Sequence, residues 1–139
     1  MTKILLADDS KFLRLTIERA LARAGYTVIT AIDGEQAVQL TKERKPDLVL
    51  LDMLLPKLSG PEVLKALKAD PETKDIAIVV FTSLSQKNAS RLQKDGAYAF
   101  LEKSELGIEK GCDIFLTAIA GIVQRLGLEA PAKASAAGK

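Results

Sequence analysis

The chain has 139 residues, about one domain's length, and its 47% hydrophobic and 27% charged residues fit a folded protein and exclude a disordered polymer. A formal net charge of +2, with lysines and arginines mixed among acids from residue 3 to residue 139, leaves no basic stripe for a phosphate backbone, so no nucleic-acid partner is expected. The lack of histidine excludes the usual zinc-ligand sets, and a single cysteine, Cys112, excludes an internal disulfide.

In chain order, apolar runs and amphipathic stretches take turns. The first run, residues 4–7, meets Asp8 and Asp9 too soon to be a signal-peptide core or a membrane span, so a cytoplasmic protein without membrane attachment is expected. Residues 11–24 carry Leu13, Ile17, Ala20, Leu21 and Ala24 at helical spacing, with Gly25 placed as a C-cap. The alternation continues with a strand at 26–31 and a helix at 34–45. A strand at 48–51 leads to a helix at 61–69, whose Pro61 suits a first turn. A strand at 77–81 precedes a polar helix at 86–95. The last pair is a strand at 98–101 and a helix at 113–126, with Phe115, Ile119, Ile122 and Leu126 on one face. Cys112 reads as a small buried apolar side chain on a helix.

Strands that are continuous Val, Ile and Leu runs are buried on both faces, which predicts a parallel sheet covered by helices on each side. Right-handed crossovers then favour a doubly wound five-stranded α/β domain over residues 1–127, with the flavodoxin-like order 2-1-3-4-5. Residues 128–139 have no apolar periodicity and are expected to form a disordered tail. No internal repeat is visible.

In such a sheet, ligands bind beyond the carboxyl ends of the strands. Asp8 and Asp9 follow the first strand, Asp52 ends the third, Thr82 and Ser83 end the fourth, and Lys103 ends the fifth. If strands one and three are neighbours, three carboxylates meet on one edge, facing a hydroxyl and an ammonium. Such carboxylates repel one another, and oxygen-only donors match Mg²⁺, or Mn²⁺, which would resolve the conflict. One Asp could then act as a nucleophile toward phosphorus, with Lys103 neutralising a phosphate oxygen and Thr82 donating to another. Each residue also has a plainer reading. Asp9 or Ser10 could cap the first helix, Asp52 could be a turn former before Pro56 and Gly60, Thr82 or Ser83 could be another cap, and Lys103 could be a solvated surface group. None of these explains why all the positions end strands on the same edge.

The stretches ILLADDS, DLVLLDMLLPKLSGPEVL, IVVFTS and GAYAFLEK, in this order and spacing, resemble the bacterial response-regulator receiver family over residues 3–126, as a stand-alone receiver. The resemblance implies that Asp52 is the phosphoacceptor and that Asp9, Asp52 and the backbone carbonyl of Leu54 ligate Mg²⁺, with Asp8 helping directly or through water. It further implies that Lys103 and the Ser83 backbone contact the phosphoryl group, and that Thr82 moves toward it. Phe100 matches the family's switch aromatic, against the alternative of an ordinary core residue. A histidine kinase or histidine phosphotransfer protein would be the donor and a downstream protein the target. Activity is then limited to self-phosphorylation and slow self-dephosphorylation.

The 85–95 segment has only Ala89 and Leu92 as core anchors, which makes it the expected moving part. Ser104 stands where the family usually has a proline in a cis bond. Leu54 and Leu84 occupy positions that tune self-hydrolysis, so a long-lived phosphoryl group is expected. Three competing readings are a non-phosphorylated receiver-like interaction module, a haloacid-dehalogenase-type phosphatase and a flavodoxin-like cofactor binder. The phosphatase family places its nucleophile first and its acidic pair last, the reverse of this chain, and no Gly-rich loop follows the first strand to hold a flavin.

Overall fold

A computed structural model describes residues 2–53, 55–82, 96–103 and 112–128. Five strands, β1 Lys3–Ala7, β2 Thr27–Ala31, β3 Leu48–Leu51, β4 Ala77–Thr82 and β5 Ala99–Glu102, form one sheet in the order β2-β1-β3-β4-β5. All four pairings are parallel. Among the described residues four helices accompany them: α1 Lys11–Ala24, α2 Gly34–Arg44, α3 Gly60–Ala69 and α4 Asp113–Arg125. This is the doubly wound architecture expected from the apolar runs.

Alternate residues of each strand feed two separate cores, which is why the runs are apolar throughout rather than alternating. Ile4, Leu6, Leu48, Leu50, Val79 and Phe81 pack with Ile17 and Leu21 of α1 and with Phe115 and Ile119 of α4. Leu5, Ala7, Val49, Leu51, Ile78 and Val80 pack on the other face with Ala37 of α2 and with Val63, Leu64 and Leu67 of α3. The helices therefore lie on both faces, and the carboxyl ends of the strands are left at one open edge.

Several element ends differ from the sequence expectation by a residue, each for a local reason. Tyr26 precedes β2 because its N–H is used by the Leu21 carbonyl, part of an α1 terminus that closes on Gly25 at φ 107°. The third helix starts at Gly60, capped by Ser59, with Glu62 completing a capping box. In α4, Val123 joins Phe115, Ile119 and Ile122 as a buried residue, while Leu126 is the C-cap and only partly buried. Cys112 is buried as expected but does not sit on a helix: it precedes α4 in the left-handed region at φ 68°. Burial pushes its thiol pKa up. Leu128 packs against the α1/α4 core and donates to the Val123 carbonyl.

The expected 86–95 helix, Leu84, Ser104 and residues 129–139 lie outside the described residues. No helix among the described residues is long and apolar enough to cross a membrane.

Candidate functional site

The site is built by strand register. β1 and β3 are neighbours, and Ala7 pairs with Leu51, so the next residue of each strand, Asp8 and Asp52, emerge side by side. The Asp52 N–H donates to the Ala7 carbonyl at 3.1 Å, and the Asp8 N–H donates to the Ala31 carbonyl of β2 at 3.2 Å. Asp8 is fully buried and Asp52 nearly so, whereas Asp9 is exposed. One carboxylate oxygen from each of Asp8, Asp9 and Asp52 lies within 4.8 Å of the other two. The sheet thus brings together the three acids that the sequence placed at two different strand ends.

Lys103 closes the site from β5. Its Nζ donates to Asp8 Oδ2 at 3.1 Å and to Asp52 Oδ2 at 3.0 Å. The same ammonium stands 4.9 Å from the centroid of the Phe81 ring, within the range of a cation–π contact. Phe81 is itself fully buried and leans on Phe115, with ring centroids 5.8 Å apart. The lysine's ammonium therefore rests beside a buried pair of aromatic rings.

The plain capping reading of Asp9 is settled by its neighbour. Ser10 is the N-cap of α1, its hydroxyl accepting the Leu13 N–H at 3.4 Å, so the Asp9 carboxylate is left for the acid cluster. The Ser10 backbone N–H donates to Asp8 Oδ1 at 2.9 Å, and Arg14 Nη1 donates to the Asp8 carbonyl oxygen at 3.0 Å. Arg14 and Phe81 escaped the sequence reading. Arg14 had one signal, a guanidinium one turn into the helix that follows the acids. Phe81 had none, because it reads only as part of an apolar run.

Electrostatics follow from burial. Desolvation carries the pKa of Asp8 above its ordinary range; the Ser10 N–H and Lys103 oppose this, and the charge of Asp52 adds to it. For Lys103, burial by itself would lower the pKa, but the hydrogen bond and charge of Asp52, joined by those of Asp8, outweigh it and raise the value. The lysine is held as a cation facing a surplus of acid. Clustered hard oxygen donors, two of them buried, suit a divalent cation such as Mg²⁺.

Thr82 ends β4 on the same edge, paired with Glu102, the residue before Lys103. Its side chain, Ser83 and Leu54 with its carbonyl lie outside the described residues. Phe100 pairs with Val80 and is half-buried against the α2/α3 core.

The sequence model of the response regulator receiver domain matches residues 4–109. The polar-differentiation response regulator DivK of Brucella ovis is 35% identical over 105 residues, which cover 74% of this chain and 85% of DivK. Four further curated relatives, 39–48% identical over the matched stretch, are longer proteins of which the chain spans only 14–33%. Among solved structures, the chemotaxis response regulator CheY4 of Vibrio cholerae superposes with a TM-score of 0.78 at 27% identity, covering 88% of this chain and 98% of CheY4. The receiver domain of a sensor histidine kinase of Pseudomonas aeruginosa gives 0.73 at 26% identity, covering 89% and 95%, and has a magnesium ion coordinated in its active site cleft.

Proposed function

The chain belongs to the response regulator receiver domain family, and from that premise we propose that it accepts a phosphoryl group on Asp52 from a phosphohistidine donor and signals through a change of surface. The observation that carries this reading is the Lys103 ammonium held at 3.1 and 3.0 Å from Asp8 and Asp52, beside an acid cluster at the sheet's open edge. It favours an active phosphoacceptor over a non-phosphorylated interaction module, and the family match sets aside the phosphatase and flavin-binding readings.

In this mechanism an Asp52 carboxylate oxygen forms the new O–P bond as the N–P bond of the donor breaks, the electron pair leaving on the imidazole nitrogen. Asp8, Asp9, Asp52 and the Leu54 carbonyl would hold Mg²⁺, which when bound neutralises charge on the incoming phosphoryl oxygens. Lys103 neutralises another of those oxygens, and the Ser83 N–H donates to the group. The Thr82 hydroxyl then moves toward the phosphoryl group and Phe100 turns inward, altering the surface that a downstream protein reads. Leucines at 54 and 84 cannot orient an attacking water, so self-dephosphorylation is slow. The donor is a histidine kinase or histidine phosphotransfer protein in the cytoplasm.

Protein incubated with acetyl phosphate and Mg²⁺ is expected to gain the mass of one phosphoryl group, and Asp52→Asn is expected to gain none. Absence of the gain in wild-type protein, or its persistence in Asp52→Asn, would overturn the assignment.

A further inference from the structure

The first residues of two different helices are pressed against the described residues on and just after the proposed nucleophile, one against Asp52 and Met53 and the other against residues 56–58. Gly60 opens α3, and its N–H donates to the Met53 carbonyl at 2.9 Å. Gly34 opens α2, and its N–H donates to the Pro56 carbonyl at 3.1 Å. In each case a donor that a helix start leaves without an intrahelical partner is given to a loop carbonyl. Both positions exclude a side chain. A methyl group at Gly60 would stand 2.7 Å from the Asp52 carbonyl oxygen, and one at Gly34 would overlap the Leu58 carbonyl oxygen, which is backbone and cannot rotate aside.

Between these supports the loop makes a tight turn. Lys57 has φ 69°, and the Leu58 N–H bonds back to the Pro56 carbonyl at 2.8 Å. A non-glycine residue in the left-handed region is strained and persists only where its surroundings hold it. The Lys57 ammonium lies 3.7 Å from Asp33, the N-cap of α2, and 3.8 Å from Glu35. The loop is therefore tied to the start of α2 by main chain, by close packing and by charge at once.

We propose that Gly34 is a positioning residue for phosphoryl acceptance. It lets the Asp52 loop close on the start of α2, and that closure holds the Asp52 carboxylate in register with Asp8 and Asp9. The proposal rests on the reading of Asp52 as phosphoacceptor. It predicts that Gly34→Ala displaces the loop and weakens the cation site without removing any ligand. Gly121 is the control: it lies in α4 and an added methyl meets nothing within 4 Å.

The test measures Mg²⁺ affinity by calorimetry, and mass gain in acetyl phosphate, for wild type, Gly34→Ala and Gly121→Ala. Gly34→Ala is expected to bind Mg²⁺ about tenfold more weakly, the scale of other supporting residues around metal ligands, and Gly121→Ala to match wild type. In wild-type protein, hydrogen exchange of the Gly34 amide is expected to slow when Mg²⁺ is added. That measurement decides the matter should Gly34→Ala fail to fold. Unchanged Mg²⁺ affinity in a folded Gly34→Ala, or unchanged exchange at the Gly34 amide, overturns the proposal. Wild-type protein that neither binds Mg²⁺ nor gains a phosphoryl group overturns the phosphoacceptor reading instead.

Discussion

Asp8 is the residue on which the local physics bears hardest, since it is fully buried between another aspartate and a lysine. Burial raises its pKa above the ordinary 3.8, the Ser10 N–H and Lys103 pull it back, and Asp52 pushes it further up. The folded state therefore holds a proton on Asp8 more tightly than the unfolded chain does. The resulting stability is fully present below 3.8 and is lost as pH rises through the higher folded value. In the presence of a chelator, Asp8→Asn is expected to escape that loss and to be more stable than wild type at pH 7. Urea unfolding of both proteins between pH 4 and 7 checks this. An Asn variant that is less stable at every pH would contradict it. Only half of this was legible in the residues: two adjacent acids after an apolar run announce a site, but not which of them is buried.

At the scale of elements, helix starts do more than begin helices. The Ser10 side chain caps α1 while its backbone N–H steadies Asp8, so the two roles are separable. Ser10→Ala is expected to cost about 1 kcal/mol of stability, the usual worth of such a cap. It should leave Mg²⁺ affinity unchanged, because the N–H that faces Asp8 remains. Urea titration and calorimetry on the one variant test both halves. The strand and helix order was readable because burial on both faces leaves continuous apolar runs and amphipathic helices leave a 3.6-residue period. Ends were less readable. The last strand runs one residue beyond expectation, to Glu102, because Glu102 pairs with Thr82 and so carries Lys103 to the edge. Pairing partners are not written into local periodicity.

For the whole molecule, the acids proposed to hold a cation come from the ends of two strands that are far apart in sequence and meet only in the folded sheet. A cation bound there favours the folded state by mass action, about 2.7 kcal/mol at a hundredfold excess over its dissociation constant. The melting temperature is expected to rise with Mg²⁺ concentration, and Asp9→Asn, which removes the exposed carboxylate of the cluster without disturbing the core, is expected to lose most of the rise. A Mg²⁺ response that Asp9→Asn leaves intact would place the cation elsewhere.

What the residues determine alone is the succession of strands and helices, the coverage of the sheet on both faces, and the set of chemistry-bearing groups that end strands at one edge. These are local properties, fixed by periodicity and by where polar side chains interrupt apolar runs. Only the tertiary structure decides that Asp8 stands next to Asp52, that Lys103 reaches across 95 residues of sequence to Asp8 and 51 to Asp52, that Phe81 lies beside its ammonium, and that Gly34 must have no side chain. Those facts depend on strand order and loop packing, which are set by long-range closure and close approach and leave no periodic trace in the chain.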